Sequence, residues 1–194
     1  MVNNFKQISN LLSFRSDDDF YFLQLIQRKK EHEELGSNNR VINTYFIRSK
    51  DHLLSLEEEI KAICDVTKSR AYINLNRRSF RRIGLATLKN ITDHILNEDY
   101  NHIYRAYTTV CGQYKHENSP TFIVDIDEEL GRKHNDMIRF IESECEPIGP
   151  KYVTIIPTKN GSHIIMRAFN LQKFREKYPD VDVHKNNPTI LYCP

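Results

Sequence analysis

Apolar positions recur along this chain with two different periods, and the switch between them marks out its elements. Residues 20–28, FYFLQLIQR, are rich in aromatic and branched side chains and read as a strand. The polar stretch KKEHEELGSNN then turns the chain into a second strand, VINTYFIR, at 41–48. Behind Ser49, a good N-cap, Leu53, Leu56, Ile60 and Ile63 repeat at the spacing of one helical face. AYINL at 71–75 predicts another strand, Ser79 opens a helix running towards Leu96, and shorter helices are expected over 5–13 and 102–113.

The second half is more regular. TFIVDID (121–127) is a strand, and 128–144 a helix with Leu130, Met137, Ile138 and Ile141 on one side. KYVTIIP (151–157), the turn TKNG and SHIIMRAF (162–169) form a hairpin, Asn170 caps the helix LQKFREKY, and an extended stretch runs from Val181 to Cys193. That order, β-α-β-β-α-β, is the split βαβ or ferredoxin-like unit also used by RNA-recognition (RRM) domains. The expected fold is therefore α+β: one two-lobed core over 1–194, with an N-terminal α/β lobe over about 1–118 packed against an RRM-like lobe over about 119–194.

Composition narrows the class. With 194 residues, 39% hydrophobic and 28% charged, the chain has an ordinary globular make-up, and no apolar run reaches the roughly 18–20 residues of a membrane span. The start, MVNNFKQISNLLSF, lacks the layout of a secretory signal, so a cytoplasmic protein without membrane contact is expected. Cys64, Cys111, Cys145 and Cys193 include no C-x-x-C pair, which argues against a zinc ribbon and for reduced, buried thiols. The formal charge of +2 conceals an uneven distribution. Residues 68–89 carry Lys68, Arg70, Arg77, Arg78, Arg81, Arg82 and Lys89 with no acid. Residues 125–146 carry Asp125, Asp127, Glu128, Glu129, Asp136, Glu142, Glu144 and Glu146 against Arg132, Lys133 and Arg139. Such a pair of sectors suits polyanion binding beside a cation site, or else two solvated helix faces.

Asp125 and Asp127 end an apolar strand two residues apart, and therefore share a face. Two adjacent carboxylates repel unless a cation or a shared proton neutralises them, and hard oxygen ligands suit Mg²⁺ or Mn²⁺. With right-handed crossovers, the third strand of the unit pairs antiparallel with the first and the fourth flanks the first on its other side. The strand bearing the two acids thus ends beside Gly161, Ser162 and His163, and beside the entry to the last strand, where Asp180 and Asp182 stand. Gly161 lets a phosphate approach the main chain, His163 can donate to a phosphate oxygen, and Lys159 supplies a point charge in the same turn, next to Asn160.

FIVDID, then TKNGSHI about thirty residues on, then VDV leading into NNPTILYCP, resembles the catalytic core of the archaeo-eukaryotic primase, or primase-polymerase, superfamily. Members show an hhhDhD strand, a turn ending in a small residue, any residue and His, and a final hydrophobic-Asp. The resemblance covers about 75 C-terminal residues. It implies that Asp125, Asp127 and Asp182 are catalytic metal ligands for Mg²⁺ or Mn²⁺, with Asp180 competing for the third place, and that His163, Lys159, Ser162 and Gly161 bind the nucleotide. The implied activity is two-metal nucleotidyl transfer from a nucleoside triphosphate to a nucleic-acid 3′-hydroxyl. Small stand-alone members often belong to mobile replicons, so a part in replicating such an element is implied, with a single-stranded DNA or RNA template and a helicase or other replication protein on another chain as partners.

The segment N-R-R-S-F-R-R, residues 76–82, is expected to open a helix and set Arg77 over Arg81 and Arg78 over Arg82 as a stripe facing template or primer phosphates. Two other classes stay open. One is an inactive single-strand-binding module using Phe122, Tyr152 and Phe169 on the sheet, although HIIMRAF replaces the usual RNA-recognition signature. The other is a metal-dependent nuclease, without the His-hydrophobic-His pair of rolling-circle nicking enzymes. There is no G-x-x-x-x-G-K-S/T motif for an ATPase.

Overall fold

Two antiparallel sheets organise the chain, and its last strand belongs to the sheet built by its first residues. The computed structural model describes residues 1–36, 38–113, 121–127 and 134–194, and over these the protein is mixed α+β with seven α-helices. The opening strand β1 (Val2–Asn3) leads through α1 (Phe5–Leu11) into β2 (Asp19–Gln27) and β3 (Arg40–Ile47). Along β2, Tyr21, Leu23 and Leu25 enter one core while Phe20 and Phe22 enter another, as the two-residue period of a strand covered on both faces requires.

The helix expected behind Ser49 is divided into α2 (Lys50–Ser55) and α3 (Glu57–Thr67). Ser49 caps α2 by accepting from the His52 N–H, and the Ser55 hydroxyl bonds back to the His52 carbonyl at 2.9 Å, a local competitor of the kind that bends helices. Glu57, Glu58 and Glu59 then stand at the positive end of α3. After β4 (Arg70–Ile73) and the short β5 (Arg78–Ser79), Ser79 caps α4 (Phe80–Leu96), accepting from the Arg82 N–H. The helix expected over 102–113 starts as a 3₁₀ turn over Tyr100–Arg105 and becomes α-helical only in α5 (Ala106–Gln113).

The second sheet contains β6 (Thr121–Asp127), β7 (Tyr152–Pro157), β8 (Gly161–Arg167) and β9 (Val183–His184), with α6 (His134–Ser143) between β6 and β7 and α7 (Leu171–Lys177) between β8 and β9. The part of the helix expected over 128–133 lies outside the described residues. Strand order is β7-β8-β6-β9, so β6 lies between β8 and β9 and is antiparallel to both. One expectation is corrected. The stretch from Val181 to Cys193 is not a single strand of this sheet: β9 pairs over two residues, and β10 (Thr189–Cys193) joins the first sheet between β1 and β4. The physical reason is tertiary: between β1 and β4 all five residues of TILYC are buried, and Leu191 and Tyr192 enter the cluster that joins the two sheets.

Among the described residues, three apolar clusters hold the elements together. Met137, Ile141 and Phe174 cover one face of the second sheet, against Phe122, Val124, Ile126, Ile164 and Met166. Ile83 and Cys111 cover Phe20 and Phe22. The largest cluster joins Phe5, Ile8, Leu53 and Ile60 to Leu23, Leu25, Ile73 and Leu191, and takes in Ile123, Ile156 and Ile165 from the second sheet. The four cysteines are buried and free, and burial pushes the Cys111 thiol up to about 12. No helix among the described residues is long and apolar enough to cross a membrane.

Ile165 is 1% exposed within the cluster that spans both sheets, so Ile165→Ala is expected to lower stability by about 2–5 kcal/mol in urea denaturation.

Candidate functional site

A cleft of about 740 Å³ opens between the two sheets. Ile26, Tyr72 and Ile190 of the first sheet line one side, and Asp125, Asp127, His163 and His184 of the second line the other. Its rim carries Arg28, Lys30 and Glu31 from the segment after β2, and Thr158, Lys159 and Asn160 from the β7–β8 turn. The volume lies within the range of about 300–1,000 Å³ common for small-molecule sites.

The register of β6 against β8 sets the acids in place. Asp125 pairs with His163 and Asp127 with Gly161, which puts the imidazole across from the first carboxylate. His163 Nε2 lies 3.5 Å from Asp125 Oδ1, while Nδ1 lies 2.8 Å from the hydroxyl of the fully buried Thr189 on β10. The His163 contact, ahead of every other influence, holds the Asp125 carboxyl below its ordinary value of 3.8. Burial works in the opposite direction, and the charges of His163, His184 and Arg28 add to the lowering.

Asp182 stands directly opposite Asp125 on β6's other flank, with the Asp125 N–H donating to its carbonyl at 2.9 Å. Of the two tail aspartates it is the one in register, since Asp180 falls in the turn before it. The carboxylates of Asp125, Asp127 and Asp182 do not come within 4.8 Å of one another as a set. Carboxylate oxygens are the right donors for a hard cation, and Asp125 and Asp127 both line the cleft.

Gly161 is required by close approach. A Cβ at this position would run into the Ile126 carbonyl oxygen and lie 3.0 Å from the Asp127 Cα, so the hairpin start is packed against the backbone of the acid-bearing strand. The Thr158 N–H donates to the Gly161 carbonyl at 2.9 Å and closes the turn. Lys159, 51% exposed at its side chain, reaches Glu31 at 3.4 Å. Glu31 also pairs with Arg70, which is nearly buried on β4. Burial pushes the Glu31 carboxyl up, but Arg70 and Lys159 together outweigh it and the net displacement is downward.

Ser162, Arg77 and Arg78 are placed differently from expectation. Ser162 alternates to the other face of β8, is buried, and contacts His134 Nε2 at 2.7 Å at the start of α6; it does not line the cleft. The expected arginine stripe is not formed, because α4 begins at Phe80 and leaves Arg77 and Arg78 ahead of it. Arg77 pairs with Asp19 at 3.2 Å and donates to the Ser13 carbonyl. Arg78 is 2% exposed, donates to the carbonyls of Cys111 and Asn76, and lies over the Phe22 ring. Arg81 and Arg82 are exposed on the first turn. The positive helix end is already answered by Asp18, which accepts from the Arg81 N–H at 2.8 Å and from the Ser79 hydroxyl. Ser79, ahead of Arg81 and the other contacts, holds the Asp18 carboxyl below its ordinary value.

Compared with known proteins, the chain matches no family model, no curated protein and no solved structure. What can be said of the site therefore rests on its own geometry.

Sequence reasoning missed Arg28, Lys30, Glu31, Tyr72, His184 and Thr189, and treated Arg70 only as part of a basic window. Arg70 pairs with Ile26 across β4 and β2, so the far wall of the cleft comes from strands distant in sequence. The aromatics proposed for base stacking are placed differently from expectation: Phe122 and Phe169 are buried against each other at 5.5 Å, and only Tyr152 is exposed.

Gly161→Ala is expected to separate β8 from β6 at Asp127, lowering stability by about 1–3 kcal/mol by thermal denaturation and weakening amide-exchange protection across the Asp125–His163 pair.

Proposed function

We propose that the protein is a primase-polymerase-like nucleotidyltransferase whose centre is the cleft at Asp125, Asp127 and His163. The observation that carries this reading is the register that sets Asp125 against His163 and Asp127 against Gly161, in a cleft that also receives Arg28, Lys30 and Lys159. Acids on one wall and cations on the rim suit a ligand that combines polyphosphate with a bound divalent ion. The strand order β7-β8-β6-β9, with a helix in each crossover, agrees with a ferredoxin-like unit and so with the superfamily that the sequence resembles.

In this reading Asp125 and Asp127 hold Mg²⁺ or Mn²⁺, and Asp182, in register beside Asp125, completes the set by a side-chain movement. The ion, when bound, neutralises charge on the reacting phosphate and the attacking hydroxyl. Thr189 occupies Nδ1 of His163, and Nε2, which faces Asp125 Oδ1 at 3.5 Å, would turn to a phosphate oxygen once Asp125 holds the ion. Lys159 and Arg28 attract the triphosphate, whereas the missing side chain at Gly161 serves the close approach of β8 to β6. Arg81 and Arg82 lie on the surface where a template backbone can reach them, whereas Arg77 and Arg78 serve the fold. A non-catalytic binder reading the sheet through stacked aromatics is less well supported, since Phe122 and Phe169 are inside and Ile123, Ile156 and Ile165 turn the other face of that sheet into core.

Asp125→Ala and Asp127→Ala are expected to reduce manganese-dependent incorporation of labelled nucleotide by at least about 100-fold with an unchanged circular-dichroism spectrum; full incorporation by either variant would refute the proposal. Replacing Arg81 and Arg82 together by Ala is expected to weaken single-strand binding and to flatten the dependence of log affinity on log salt by about 1–2 units, measured by fluorescence anisotropy.

A further inference from the structure

A second cluster of metal-ligating side chains lies at the far end of α4 and contributes nothing to the cleft. His94 sits in the last turn of the helix, Asp99 just past its end, and His102 in the 3₁₀ turn that follows. The chain folds back because Glu98 takes a left-handed conformation, φ 56°, and the Asp99 N–H then donates to the His94 carbonyl at 2.9 Å. That reversal brings the Asp99 carboxylate to His94 Nδ1 and starts the next turn so that the His102 ring stacks on His94, centroids 5.6 Å apart and 26° from parallel.

Both imidazoles direct Nδ1 at the same carboxylate. Asp99 Oδ2 lies 3.1 Å from His94 Nδ1, and both its oxygens lie 3.1 Å from His102 Nδ1. One ligand atom from each of the three residues falls within 4.8 Å of the other two, and among the described residues no other trio of His, Cys, Asp or Glu does so. Tetrahedral zinc with bonds of about 2.0–2.1 Å has ligand–ligand edges of about 3.3 Å, so the N···O separations here already approach those of a coordinated set. Two nitrogens and one carboxylate favour zinc over magnesium, which prefers an all-oxygen octahedron.

We propose that His94, Asp99 and His102 bind a zinc-class divalent ion through the two Nδ1 atoms and one Asp99 oxygen, with the remaining position open to solvent. The ion takes the place of the hydrogens the imidazoles now direct at Asp99, so the same three side chains serve both states. Bound there, it ties the end of α4 to the following 3₁₀ turn. The site is chemically separate from the acids of the cleft, which suit harder ions, and stands or falls independently of the polymerase reading.

The test is titration of the full chain with zinc chloride alone, by calorimetry, at fixed pH. His102 is 68% exposed at its side chain and its described contacts are to Asp99 and His94, so His102→Ala should fold normally. The expected result is one zinc equivalent in the native chain, weakened at least about tenfold in His102→Ala and in Asp99→Asn, and retained in the Asp125→Ala, Asp127→Ala double variant. Zinc should also raise the melting temperature of the native chain and not that of His102→Ala. An unchanged affinity in His102→Ala, absence of any zinc equivalent in the native chain, or loss of the equivalent in the cleft variant instead would each overturn the assignment.

Discussion

The pairing of β10 between β1 and β4 is the constraint on which the rest of the structure depends. By leaving the second sheet after Val183–His184 and entering the first, the tail fixes the two sheets relative to each other and makes them the walls of one cleft. Asn4 reinforces this junction, since its side-chain amide donates both to the Ile190 carbonyl on β10 and to the Pro157 carbonyl at the end of β7, each at 3.0 Å. Gln7 adds donors to Thr154 and Ile155 on the same strand. Thr189 completes the arrangement: a hydroxyl from the first sheet orients an imidazole of the second.

Much of the second sheet was legible from the sequence because its signals are local. An apolar run ending in two acids marks β6 at the boundaries found, T-K-N-G marks the hairpin, and Asn170 caps α7 as its residue type suggests, accepting from the Lys173 N–H. With those elements in hand, the rule for crossovers was enough to set Asp125 beside His163, and Asp182 on the far side of Asp125. The destination of TILYC was not legible, since a buried apolar pentapeptide pairs equally well with any open sheet edge, and only tertiary contacts choose. The opposite wall was hidden for the same reason. Arg28, Arg70 and Tyr72 become neighbours of the acids through the docking of one sheet on another, which no periodicity records.

The basic segment shows how a charge count misleads when partners are out of view. Arg77 and Arg78 read as surface cations beside a helix start, yet they answer Asp19 and the carbonyls of Cys111 and Asn76. Asp17, Asp18 and Asp19 are distant in sequence, and β2 pairing with β5 brings Asp19 opposite Ser79. A guanidinium with several donors is well suited to collecting carbonyls at such a junction, so burying Arg78 there is an economical use of its fork geometry.

Glu31 gives the cleft a property of its own. This one carboxylate is shared by two cations of unequal mobility: Arg70, almost enclosed on β4, and Lys159, half exposed on the hairpin turn. An exposed ion pair is worth at most about 1 kcal/mol, so the ammonium can be drawn away by a stronger anion with little penalty, while the guanidinium stays and keeps Glu31 charged. The turn is therefore tethered lightly in the resting molecule, and a polyanion arriving between the sheets would exchange one carboxylate for several phosphate oxygens at the same lysine. Lys159 is thus the point where the β7–β8 turn meets both the opposite wall and the interior of the cleft, while Asn4 holds the end of β7 whichever anion the ammonium faces.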